Sequence, residues 1–256
     1  MICAFRAVLL AIALSGPIAW RGASGVGGQS GAAPSIDYAR WQLQLPIGSA
    51  NSPTTVSAQQ LLAGFSDDYF YLAADGGQIF MDPETGSTTS GSQHCRSELR
   101  ELAADGTAAA WASSGSHTLS VSGQVRQVGG GTSGLVTVGQ LFDASDSIPL
   151  LELQYSTQRA GFQLLYEEAK GAGSTLDLAT PVPLSTRYGF TLSLAAGTAS
   201  VSINGQMVFT RAPSAEVLAK NFYFKFGAYD QTSSSGSPSS AAYTVVEVDS
   251  ADVVHN

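Results

Sequence analysis

Residues 92–101 read SQHCRSELRE and gather two arginines, two glutamates, a histidine and a cysteine in a chain whose charged residues make up only 12%. On a strand, successive side chains point to opposite faces, so His94, Arg96, Glu98 and Arg100 line one surface and Cys95, Ser97 and Leu99 the other. A second segment, NFYFKFGAYDQ, alternates in the same way. Phe222, Phe224, Phe226 and Ala228 form its apolar face, and Tyr223, Lys225, Tyr229 and Gln231 its polar one. In a third, GLVTVGQLFD, Gln140 and Phe142 share a face with Leu141 opposite. A forked guanidinium takes a carboxylate by two hydrogen bonds, an imidazole moves protons near neutrality, and a phenol can give or take one. The plain alternative is a set of solvated strands whose charges pair with one another, Glu98 with Arg96 or Arg100.

Such side chains converge only if a scaffold sets several strands side by side. From about Ser35 the chain reads as short strands and turns. WQLQLPIG alternates Trp41, Leu43 and Leu45 against Gln42 and Gln44, then stops at Pro46 and Gly48. Asp75-Gly76-Gly77 marks a hairpin, and Asn204-Gly205 is the strongest turn signal. Two short helices are expected, one in VSAQQLLAG with Ser57 as its cap and one in SAEVLAK, residues 214–220. Many short strands, 28 glycines and no internal repeat point to an all-β fold, an antiparallel β-jelly roll (a concanavalin-like sandwich) with an open groove. QTSSSGSPSS, residues 231–240, lies between two strong strands and reads as a mobile loop at the groove edge. Residues 35–256 are expected to form one domain.

The first residues, MICAFRAVLLAIALSGPIAW, pair Arg6 with an apolar run too short for a membrane span and broken by Pro17. Residues 1–24 therefore read as a signal peptide and 25–34 as a flexible segment, which implies a secreted protein with no membrane attachment after cleavage. Loss of the leader removes Cys3 and leaves Cys95 as the sole thiol, with no internal disulfide. Opposite the polar stripe, Cys95 is expected to act as a small buried hydrophobe. A formal charge of −8 with only 12 Lys and Arg argues against nucleic-acid binding. An anionic partner would have to meet a local group of cations, for which Arg96, Arg100 and Lys225 are the candidates. No Cys/His spacing suits zinc, so no metal or other cofactor is expected. His117 and His255 read as exposed and idle.

Taken in order, RSELRE, the Gln140 motif and YFKFGAYDQ resemble the three signature motifs of the alginate lyases of polysaccharide lyase family seven. WQLQLPIG and the run from Tyr69 to Glu101 are also similar to that family, so the resemblance covers essentially the mature chain. It implies a β-jelly roll and a monomeric, metal-independent, endo-acting lyase whose substrate is an acidic polysaccharide: alginate first, with glucuronan, cut by related lyases of the same architecture, as the alternative. The reaction is β-elimination, which must neutralise the C5 carboxylate, remove the C5 proton and protonate the departing O4. Arg96 and Gln140 suit the carboxylate, and Tyr229 the leaving oxygen. The family's second motif usually ends in histidine where this chain has Phe142. His94 is then the expected base, with Tyr229 as both base and acid if proton and leaving group lie on the same side. Arg100 and Lys225 are expected to hold neighbouring uronates, Gln231 and Tyr223 to bind hydroxyls, and Glu98 to fix an arginine rotamer.

Two rivals stay open. A glycosidase on the same fold needs two carboxyl groups about 5–9.5 Å apart across a groove. No second acid is expected on the Glu98 face, because Glu101 points the other way, Asp143 has the wrong parity, and Glu167 and Glu168 are adjacent. A non-catalytic carbohydrate-binding module would instead present Tyr223, Tyr229 and Trp111 as aromatic platforms.

Overall fold

Period-two alternation becomes two facing sheets, with the apolar residues of each strand turned inward. The computed structural model describes residues 33–256 apart from 131, 133, 146–147 and 239–240. The expected signal peptide and nearly all of the segment 25–34 lie outside the described residues. In chain order the first strands are β1 (Ser35–Ile36), β2 (Trp41–Ser49), β3 (Ser52–Val56), β4 (Phe70–Leu72), β5 (Gln78–Pro83), β6 (Thr85–Gly86), β7 (Ser97–Glu101) and β8 (Trp111–Ala112). There follow β9 (Ser116–Gln127), β10 (Leu135–Asp143), β11 (Pro149–Ser156), β12 (Gly161–Tyr166), β13 (Ser174–Pro181) and β14 (Tyr188–Ala195). The last are β15 (Thr198–Ile203), β16 (Gln206–Arg211), β17 (Asn221–Asp230), β18 (Ser234–Ser235) and β19 (Tyr243–His255).

An eight-stranded sheet runs β16-β15-β14-β9-β19-β5-β4 with β1 beside β19, and a nine-stranded sheet runs β13-β12-β11-β10-β17-β7-β2-β3 with β8 beside β17. Apart from β1 on β19 and β18 on β6, every pairing of named strands is antiparallel. This is the expected jelly-roll sandwich. Its two layers meet on aromatic rings: Trp41 packs edge-on against Phe226 at 4.7 Å, Phe226 against Phe80 at 5.9 Å, and Phe80 against Phe70 at 5.2 Å. Offset and edge-on arrangements of this kind set the negative face of one ring against the positive edge of the next. Gly139 is required for the layers to close, since a Cβ there would sit 2.6 Å from the Phe190 ring.

Local signals are obeyed where they are strong. Ser57 caps α1 (Ala58–Leu62) through a reciprocal box with Gln60, and Ser214 caps α2 (Ala215–Leu218). Asn204 and Gly205 both take positive φ, 51° and 76°, between β15 and β16. Residues 231–240 differ from expectation. Ser234 and Ser235 pair in parallel with Thr85 and Gly86, and the amides of Ser234 and Gly236 donate to the carbonyls of Glu84 and Gly86. That part of the loop is stitched to β6, a long-range pairing no local pattern announces.

Candidate functional site

The outward face of the nine-stranded sheet carries the polar stripes. Register sets Gln42, Arg100, Lys225, Gln140 and Glu152 in one row across five adjacent strands. Beside it, Gln44 is paired with Glu98. Together with residues 89–92, Arg96, Phe142, Pro149, Tyr223 and Tyr229, most of these line a cleft of about 520 Å³.

Two irregularities fit the stripes together. Pairing between β10 and β17 jumps from Thr137–Tyr229 to Gly139–Phe226, so Gly227 and Ala228 oppose the single residue Val138. Gly227 takes φ 144°, and a Cβ on it would lie 2.6 Å from the Ser97 carbonyl. The same stretch of β10 is also bulged against β11, which moves Thr137 to the cleft side, where its hydroxyl donates to Glu152. Bulges re-aim side chains in this way at sites where regular pleating would not.

The cleft is organised around one carboxylate. Glu98 is buried and accepts from the Gln140 amide, with Arg96 at 3.2 Å and the Lys225 ammonium at 3.4 Å. Burial pushes the Glu98 carboxyl up, but Lys225 and Arg96, helped by the Gln140 amide, outweigh it and hold it below the usual range. Burial drives Lys225 down to about 8 against the pull of Glu98. The Arg96 guanidinium donates to Ser92 Oγ at 3.0 Å and lies 3.7 Å above the Tyr229 ring, whose hydroxyl is 3.0 Å from the same Ser92 Oγ. Arg100 stacks over Tyr223 at 4.0 Å, and the Lys225 ammonium sits 4.5 Å from the Phe142 ring centre. Gln44 Nε2 and Arg96 Nε are buried donors without a hydrogen-bond partner among the described residues. A buried donor left in this state is costly unless a ligand takes it.

Of the residues singled out in the sequence, Arg96, Glu98, Arg100, Gln140, Tyr223, Lys225 and Tyr229 line this one cleft. Two do not. β7 begins only at Ser97, so the alternation does not extend back to His94, which is outside the cleft lining. Its Nδ1 meets the Ser233 carbonyl at 2.5 Å, and its ring centre is 6.2 Å from that of Tyr229. Gln231 lies just past β17 and donates to Thr137 Oγ1 and the Tyr229 carbonyl, so its amide is taken up by the protein and it is outside the cleft lining. Cys95 is buried as expected, its thiol donating to the Pro83 carbonyl.

Three readings need correction. Glu152 is a second carboxyl on the Glu98 face. The polar parity of PLLELQYS marks its side of β11, but only the register of β10 with β11 sets it beside Gln140. His117 and His255 are not idle: their Nδ1 atoms meet at 2.8 Å, and His255 Nε2 donates to Glu101 at 2.6 Å. Trp111 is no open platform, since it stacks on His117 at 4.1 Å on the inner side of the sheet and donates to Glu101. Among the described residues, no group of three or more His, Cys, Asp and Glu is placed to hold a metal ion.

The sequence matches the family model described as alginate lyase over residues 36–255. No curated protein matches it. Among solved structures, the alginate lyase of Pseudomonas aeruginosa superposes with a TM-score of 0.77 at 26% identity, covering 86% of this chain and 100% of that one. A family 7 alginate lyase variant in complex with a GGG product gives 0.76 at 28%, covering 88% and 100%. The enzyme from Corynebacterium sp. gives 0.73 at 27%, covering 89% and 100%.

Proposed function

The chain belongs to the alginate lyase family and is a polysaccharide lyase acting on polyuronates, and on that premise we propose that it depolymerises alginate by β-elimination in the cleft of the nine-stranded sheet. The observation that carries the reading is the Arg96–Ser92–Tyr229 cluster: a guanidinium 3.7 Å above a phenol ring, with one serine hydroxyl touching both. Arg96 and Gln140 neutralise the C5 carboxylate and the enolate-like charge that grows when the C5 proton leaves. The spare donors Arg96 Nε and Gln44 Nε2 suit the same anion. Since His94 lies outside the cleft lining, proton transfer falls to Tyr229, which takes the C5 proton and returns one to O4. Arg96 faces any phenolate formed on the way. Arg100 and Lys225 hold neighbouring uronates.

A single proton-transfer group serves a substrate whose C5 hydrogen and O4 lie on the same face of the sugar. That is the relation in D-mannuronate and D-glucuronate, and the opposite of that in L-guluronate. With Phe142 where a histidine is usual, mannuronate-rich alginate is the proposed substrate, and glucuronan the second reading. Residues 1–24 are proposed to export the protein, which acts as a monomer outside the cell. The test is the ultraviolet absorbance of unsaturated product, with purified protein on mannuronate blocks, guluronate blocks and glucuronan, with and without chelator. A rise on mannuronate blocks that persists in chelator is expected. A rise confined to guluronate blocks would overturn the role of Tyr229 as sole proton carrier, and none on any polymer would overturn the lyase reading for this cleft.

A further inference from the structure

Glu152 is out of place in a cleft for a polyanion. It is buried in the wall on β11, next to Gln140 in the register. Unlike Glu98 it has no ion-pair partner among the described residues. Both of its protein donors, the Thr137 hydroxyl and the Gln154 amide, go to the same oxygen, Oε1. Oε2 accepts no hydrogen bond among the described residues, although Glu152 lines the cleft. Protein donors thus occupy Oε1 alone, which leaves Oε2 on the cleft side as the oxygen that can donate to a ligand once it carries a proton.

We propose, on the polyuronate reading above, that Glu152 is a specificity residue for the uronate beside the reacting one: it enters the complex as the neutral acid, Oε2–H donating to the sugar carboxylate, so that substrate binding takes up one proton from solvent. Two ionised carboxylates cannot share such a contact, whereas an acid and a carboxylate share it as a charge-assisted hydrogen bond. The surroundings favour this form. Burial pushes the Glu152 carboxyl up against the pull of Thr137 and Gln154, the Glu98 charge adds to the rise, and Arg96 opposes it. On the neighbouring strands the residues paired with Glu152 are Gln140 and Leu165, neither of them charged. The residue thus discriminates in favour of a ligand that brings its own negative charge.

The test is calorimetry of the full protein binding mannuronate oligomers at several pH values between about 5 and 7, in two buffers of different ionisation enthalpy, in a Tyr229→Phe background that blocks turnover. Across that range Lys225 already carries most of its proton, so it adds little. Uptake is expected to climb towards one proton per site as pH rises through this range, because Glu152 gains a proton on binding only where the free protein holds it ionised. Adding Glu152→Gln should abolish the uptake while keeping the affinity, because the amide accepts through its oxygen and donates through Nε2. Glu152→Ala should weaken binding about tenfold, with thermal melting as the check on folding. Binding without proton uptake at any of these pH values, or uptake that survives Glu152→Gln, overturns the assignment of Glu152 alone. Absence of binding to any uronate oligomer overturns it together with the polyuronate reading.

Discussion

Glu98 and Glu101 stand three residues apart on β7, both essentially buried at 2% and 1% exposure, yet one organises a ligand site and the other closes a structural knot. Glu98 faces outward, where its partners Arg96, Lys225 and Gln140 also line the cleft. Glu101 faces inward and spends both oxygens inside the protein: Oε1 on His255, Oε2 on the Trp111 indole and the Phe224 amide at 2.9 Å each. The knot ties β7 to β8, β17 and the last residue of β19. Alternation along a single strand therefore divides chemistry from stability. The cleft holds its groups in a geometry that leaves donors free for a ligand, and the knot uses its donors up. Variants on the two faces should separate turnover from folding.

The largest effect is expected on the cleft side. Tyr229→Phe should lower turnover by about 10²–10⁴-fold, the usual worth of a positioned acid or base, with the melting temperature near that of wild type. Near-normal turnover, read from the unsaturated-product absorbance, would move proton transfer to another group. On the knot side, Glu101→Ala leaves the Trp111 and Phe224 N–H groups without an acceptor and should cost about 3 kcal/mol in denaturant unfolding, while the folded fraction keeps its turnover. A loss of turnover without a loss of stability would erase the distinction between the faces.

The smallest effect is a dependence on pH that runs in opposite senses for binding and stability. Lys225 is a cation below about pH 8 in the folded protein and loses its charge above it. KM for a polyanion should therefore rise as pH passes about 8, by about tenfold. Lys225→Arg, which keeps its charge, should flatten that limb. Because its folded value lies below the ordinary lysine value, the unfolded chain binds more protons between the two, and the stability contribution of Lys225 grows with pH across that window. Glu98 has the same sign in a more acid window: its stabilisation is present above the ordinary glutamate value and fades as pH falls through the lower folded value. A KM profile unchanged by Lys225→Arg would remove Lys225 from substrate binding.

By itself the sequence determined the all-β sandwich, the capped helices at Ser57 and Ser214, and the face on which most cleft residues lie. These follow from period-two alternation, turn chemistry and capping, which act over a few residues and are written locally. Arg96, Gln140, Lys225 and Tyr229 could be named for that reason, and the motif resemblance put them in one site. Tertiary structure alone decided the rest. The strand start at Ser97 cut His94 off from the stripe, and the bulge at Val138 turned the Thr137 hydroxyl to Glu152. Register across four strands set Glu152 in the same cleft as Glu98, and pairing of β19 with β9 brought His255 to His117 across 138 positions of chain. Parity tells which side of its own strand a residue occupies. Which residues of other strands become its neighbours depends on register and bulges, and those are settled only when the sheets pair and pack.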